Sequence, residues 1–332
     1  MNTTAITTTA TTTDVTWNVA EQESIIGQLA NQYAQNATFS FFHRKKSERT
    51  MRTYRTQLHT FSAYLSEAEV YRTADSLQFE PDSWSFMNFG HLTAYREWMF
   101  QFGYSISTIN LSMTVVKLYC KLATQAGALD VRENAMIRLV DGYKKSEEDK
   151  ANEDRTKTRV SAKKATATPL TVEQCRQLKT HPDTPQGRRD AVLMCILIDH
   201  GLRAGEVAIL TVDNFDMDSG KMTFYRPKVK LWQTHKMRPD TLAAVKRWID
   251  SGDCPSADDD YLLRGSRKGG KLSAPGVSAS NLSMRVRALG KRIGIDNLSS
   301  HDCRHYCMTD AAHNRTSMIA LRDFGGWSSL AM

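Results

Sequence analysis

Arg203 stands in the run His200-Gly201-Leu202-Arg203-Ala204-Gly205-Glu206, directly after an apolar stretch. A guanidinium is a planar fork of donors that matches two phosphate oxygens and keeps its charge at neutral pH. Glu206, three residues on, falls on the same helical face and can hold that fork still. Taken alone, the two residues read more readily as a surface ion pair. A second arginine, Arg304, follows His301 by three residues. Their spacing puts both on one face of a helix, near an N-terminal turn whose dipole favours an anion. Further on, Gly325-Gly326-Trp327-Ser328-Ser329 supplies an indole, a donor-only group suited to an anionic oxygen. Lys228 and Lys230 lie in an expected hairpin turn, where an ammonium can swing into a cleft and protonate a leaving oxygen. Together these residues suit the gripping of one phosphodiester.

The elements that must position them read as mainly helical. In the C-terminal half, Thr171 and Gln174 have capping-box spacing, and Ala191 to His200 is an apolar helix that Gly201 ends. Met222, Phe224 and Arg226 alternate like a strand, Pro227 to Lys230 turn, and Leu231 to Met237 return. Pro239 opens a helix to Ile249, Tyr261-Leu262-Leu263 reads as a short strand, and Pro275 to Ile293 as a longer helix. Ser299 or Ser300 caps the helix of His301 and Arg304, and Ser317 to Phe324 forms one more. In the N-terminal half, Trp17 to Phe42 holds enough apolar residues for one helix. Then Met51, Tyr54, Leu58, Phe61 and Leu65 make an amphipathic stripe. Leu92, Tyr95, Met99 and Phe102 make a second, and Ile109, Met113, Val116 and Cys120 a third, capped by Ser105 or Ser107; Val131 to Tyr143 reads as a fourth helix.

Four regions follow. Residues 1–44 hold a Thr-rich tail, nine threonines in the first 16 residues, and one helix. Residues 45–145 form a helical domain. Residues 146–168 are a charged linker with too few apolar residues to build a core. Residues 169–332 form the second domain, mainly helical with a small β-hairpin.

Composition narrows the partners. The net charge is +8, with 24 Lys and Arg against 18 Asp and Glu in residues 169–332 and 20 against 18 before them. That balance favours a polyanion. Arg44, Lys45, Lys46, Arg49, Arg52 and Arg55 could track a phosphate backbone, or form a solvated helix face. No apolar run is long enough to span a bilayer, and the N-terminus does not read as a secretory signal. We therefore expect a cytoplasmic protein, nucleoid-associated if prokaryotic, with no membrane partner. The six cysteines show no CxxC pair and read as reduced, mostly buried thiols.

The motifs G-L-R-x-x-E at 201–206, H-x-x-R at 301–304 and G-G-W-S-S at 325–329, in that order, resemble the tyrosine recombinase (phage integrase) family. Pro169-Leu170-Thr171 to Leu178 looks like the opening of its catalytic domain, and residues 45–145 like its helical core-binding (SAM-like) domain. The resemblance implies a mainly α fold with a mixed α/β catalytic domain. It implies a site-specific DNA recombinase that closes two domains on duplex DNA and needs no metal or other cofactor. Arg203 and Arg304 would clamp the scissile phosphate, His301 and Trp327 would hydrogen-bond it, and Lys228, or Lys230 in another register, would protonate the 5′-oxygen. A tyrosine some residues past Trp327 would attack phosphorus, giving a 3′-phosphotyrosyl link. None of the eleven tyrosines lies beyond Trp327, so these 332 residues are expected to bind without cutting. A truncated form explains this better than a natural end. The family implies tetramers on paired sites; the chain as given is expected to be a monomer.

Two other readings stand beside this one. A cleavage-deficient DNA-binding protein of the same fold would use the same basic cleft. A zinc site could draw on His301 and His305, with Cys303, Cys307 and His313 nearby, but their spacing fits no closed four-ligand pattern.

Overall fold

A computed structural model describes residues 19–144, 147, 167–256, 260–267 and 269–327, with side chains from residue 24 onward. The expected linker, 146–168, lies almost wholly outside these residues, and the Thr-rich stretch of the first 16 lies wholly outside them. Backbone contacts divide the chain into two compact units, residues 1–163 and 164–332.

Among the described residues the first unit holds helices and no strand. Helix α1 (Val19–Arg44) leaves Ile25, Ile26, Leu29 and Tyr33 exposed along its first half, while Phe39 near its end is buried in the unit's core. Helix α2 (Glu48–Glu67) starts where the Ser47 side chain accepts from the Thr50 N–H, and its stripe buries Leu58, Phe61 and Leu65 completely. Helices α3 (Ala74–Phe79), α4 (Phe89–Gln101), α5 (Ile106–Gln125) and α6 (Val131–Leu139) follow. Ser105, not Ser107, caps α5. Helix α3 and the 3₁₀ turn Pro81–Trp84 are too short to show a periodic stripe; buried Trp84 fixes them by donating to the Leu77 carbonyl at 2.8 Å. Helix α6 stops at Leu139, four residues before the expected Tyr143. There the chain turns back to α5, where the Asn110 side chain bonds both the N–H and the carbonyl of Tyr143, at 2.9 and 2.8 Å.

The second unit is built round α8 (Pro185–His200), every residue of which from Arg189 to His200 is buried. Before it, α7 (Val172–Lys179) begins with the expected capping box between Thr171 and Gln174. Gly201 ends α8 at φ 60°, a left-handed conformation that favours glycine. After α9 (Ala204–Val207) comes an antiparallel sheet of β1 (Phe215–Asp216), β2 (Lys221–Arg226) and β3 (Leu231–Lys236), in that order. Helix α10 (Pro239–Asp250) follows, and β4 (Arg264–Ser266) pairs with β5 (Leu272–Pro275) in a second small sheet the sequence had not suggested. Tyr261 to Leu263 is not a strand. Its backbone pairing is a single isolated bridge between Tyr261 and Thr211, and Leu262 and Leu263 are both buried in the unit's core. Helix α11 (Ala279–Arg292) begins four residues later than expected, because Pro275 ends β5, Gly276 turns at φ 96° and Ser278 supplies the cap. Helices α12 (Ser300–His313) and α13 (Met318–Gly325), capped by Ser299 and Ser317, close the unit.

All six thiols are free and buried, Cys120 in the first unit and the other five in the second. No helix among the described residues is long and apolar enough to cross a membrane.

Candidate active site

The C-terminal end of α8 delivers Arg203 through the tight turn at Gly201. Glu206, 3% exposed, receives Arg203 twice: the backbone N–H at 2.9 Å on Oε2 and Nη1 at 2.8 Å on Oε1. The Arg203 side chain remains 31% exposed. This is a partly open guanidinium held by a buried carboxylate, not a pair lying on the surface.

Arg226, at the end of β2, takes the other side of the same carboxylate, with Nη1 2.8 Å from Glu206 Oε2. Its side chain is fully buried. Its remaining donors reach the Gln233 side chain and, at 2.9 Å, the carbonyl of Phe324 in α13. The sequence reading took Arg226 only as an alternating strand residue. The missed signal was a charged residue at an inward position of that alternation, which a buried site must pair.

Arg304 rises from α12 into the same cluster. It is 3% exposed and donates to the carbonyls of Gly201 at 2.6 Å and Gly325 at 2.5 Å. It thereby ties the turn before Arg203 to the turn before Trp327, whose ring lies 5.9 Å from the Arg304 guanidinium carbon. Gly326 has φ 60°, and a Cβ there would sit 2.6 Å from Arg226 Cδ, so the Gly-Gly pair lets α13 end against the arginine.

Three guanidinium groups and one carboxylate thus share a small volume. Burial first, then the charges of Arg203 and Arg226, pull Arg304 down to about 10, so it stays protonated at neutral pH. Burial also lowers Arg226, against the pull of Glu206. A pocket with surplus buried positive charge is made more stable by an anion. Behind it lie two neutral histidines. Burial, reinforced by His200, Arg226 and Arg304, drops His235 to about 3, and burial with Arg238 and Lys179 drops His200 to about 4. His235 stacks on Phe324 with ring centroids 4.2 Å apart.

Of the residues singled out by sequence, the structure brings Arg203, Glu206, Arg304 and Trp327 together. His301 is exposed at the first turn of α12, one turn from Arg304. Lys228 and Lys230 are exposed in the β2–β3 turn, Lys230 at φ 54°. Arg44, Lys45, Lys46 and Arg52 belong to the other unit and are all exposed. There Arg44 and Lys46 lie over the rings of Phe41 and Phe42, and Arg52 pairs with Glu48 at 2.7 Å. His305 and His313 are exposed while Cys303 and Cys307 are buried, so α12 sends the weighed zinc ligands to different sides.

Residues 169–332 match the model of the phage integrase family. That region, a little under half of the chain, is a phage integrase family domain of the kind found in tyrosine recombinases. The chain is 26% identical over 142 residues to the type 1 fimbriae regulatory protein FimE of Escherichia coli K12, covering 42% of this chain and 69% of FimE. It is 22% identical over 286 residues to the tyrosine recombinase XerC of Escherichia coli O139:H28, covering 83% of this chain and 90% of XerC. Its fold resembles that of the Tn1549 transposon integrase in complex with transposon right-end DNA, with a TM-score of 0.58, 17% identity and coverage of 90% and 93%. It also resembles XerH bound to its difH substrate, with a TM-score of 0.53, 15% identity and coverage of 82% and 70%.

Proposed function

We propose that the chain is a site-specific DNA recombinase whose pocket at Arg203 and Arg304 holds the phosphodiester to be cut. The observation that carries this reading is the convergence of two arginines from opposite ends of the second unit. Arg304 donates to Gly201, two residues before Arg203, while Glu206 steadies Arg203 from behind. Their forks then bind the non-bridging oxygens and offset the charge that builds up as phosphorus becomes five-coordinate. His301 and the Trp327 indole N–H add hydrogen bonds to those oxygens. Lys228, on the open turn, gives its proton to the departing 5′-oxygen, with Lys230 one strand register away. In this chemistry a tyrosine hydroxyl attacks phosphorus, loses its proton and leaves a 3′-phosphotyrosyl bond, which the 5′-hydroxyl of another strand then reverses. Duplex DNA is the partner, gripped by both units, with tetramers assembling on paired sites.

No tyrosine follows Trp327 within residues 1–332, so cleavage is tested on a longer form that carries one. With a nicked suicide substrate, Arg203→Ala and Arg304→Ala should each abolish the covalent protein–DNA adduct while keeping most of the affinity. Adduct formation at the wild-type rate in either variant refutes the assignment.

A further inference from the structure

We propose that the solvent face of the β2–β3 hairpin is a nucleic-acid contact in its own right, on which Trp232 stacks against a base that has left its pair. The inference rests on the recombinase reading and adds a role to the hairpin beyond its turn lysines. The strand register sets three rungs on the outward face: Lys221 opposite Lys236, Thr223 opposite Thr234, and Tyr225 opposite Trp232. The inward face carries Met222, Phe224, Arg226 and His235, all buried. The two threonine hydroxyls bond each other at 2.9 Å, and the two aromatic rings sit 5.5 Å apart, tilted by 49°. Trp232 is nevertheless 63% exposed. A large ring held in place by its cross-strand neighbour but left facing water is a ready stacking surface.

Charge selects the occupant. Residues 221–239 hold six Lys or Arg and no acidic residue. Lys221 faces Asp216 across β1, so the surplus lies toward the tip, where Lys228 and Lys230 follow the aromatic rung. Aromatic rings beside free ammonium groups are the pairing that binds unpaired strands: the cations take phosphates and the ring takes a base face. Location supports an unpaired base over intact duplex. The rung lies on the sheet face opposite Arg226, but it is followed directly by the turn of Lys228, the proposed proton donor, so it belongs to the element that reaches the cut strand. Exchange of strands at a cut phosphate requires the neighbouring bases to leave their complements, and a stacked indole would hold one meanwhile.

The test compares binding of a short oligothymidylate and of a duplex to the 332-residue protein, wild type against Trp232→Leu and Trp232→Phe. Trp232→Leu should weaken binding of the single strand at least about fivefold and leave the dependence on salt unchanged, since no charge is lost. Duplex affinity should change less than single-strand affinity. Trp232→Phe, which keeps a ring, should restore most of the loss and show that the ribbon still folds. It should also remove a share of the tryptophan quenching that the wild type shows with the oligonucleotide. Equal single-strand affinity in wild type and Trp232→Leu, or equal losses on both DNAs, overturns the proposal. A wild-type protein that binds neither DNA instead overturns the recombinase reading on which it rests.

Discussion

At the scale of single residues, the site depends on a buried carboxylate serving two arginines. Glu206 and Arg226 are 3% and 0% exposed and bonded at 2.8 Å. Removing Arg226 takes away the carboxylate's buried partner and leaves it only the half-open Arg203, in a medium that solvates charge poorly, which costs up to about 3–5 kcal/mol. Arg226→Met should therefore lower the unfolding free energy of the second unit by that order, as read from denaturant titration. Arg226→Met combined with Glu206→Met should recover part of the loss, because neither fully buried charge remains and Arg203, 31% exposed, keeps some contact with water. A double variant whose loss equals the sum of the two single losses would show that the pair is not coupled. Arg203, Glu206, His301, Arg304 and Trp327 were legible as a motif set because each stands in a short run with recognisable spacing. Arg226 was not. Its partners are 20, 7 and 98 residues away along the chain, and no local spacing encodes a bond to Phe324.

At the scale of elements, long helices announced themselves by their stripes and the short α7 and α13 by their caps, while the shortest pieces gave no signal. The stripes of α2, α4 and α5 were readable because each spans several turns with one apolar face. The second sheet was hidden because β4 carries only Arg264 to Ser266, too short for an alternation to register. The junction of α8, β3 and α13 adds a pH dependence that no sequence pattern shows. His200 ends α8, His235 lies on β3, and Phe324 of α13 stacks on His235. Both folded histidines titrate below their ordinary 6.5, near 4 and 3, so the unfolded chain takes up more protons once the pH drops under that value. The stabilisation they allow is complete above about pH 6.5 and fades as acid passes through about 4 toward 3. The melting temperature of the second unit should fall across this window. His235→Leu, which cannot take a proton there, should lose less between neutral pH and pH 4 than wild type; identical slopes would refute the cause.

For the whole molecule, charge is the main lever on affinity. The protein carries +8, and both units hold exposed cations suited to phosphates. If six to ten of them displace counterions, affinity for duplex DNA should drop by about 10³–10⁵ between 50 and 200 mM salt. Replacing Lys45 by Gln should reduce the slope of log affinity against log salt by about one unit, read by titrations at several salt concentrations. A flat salt response would argue against a grip on the backbone. The distribution of thiols offers a different handle. Burial raises Cys175 and Cys254 to about 11 and Cys195 and Cys307 to about 12, and Cys120 and Cys303 are likewise pushed up. An alkylating reagent should ignore the native protein and mark a chain only while part of it is open. Because a single cysteine reports on the N-terminal half and five on the C-terminal half, one mass spectrum of a timed labelling reaction would clock the breathing of each half separately, with no engineered probe.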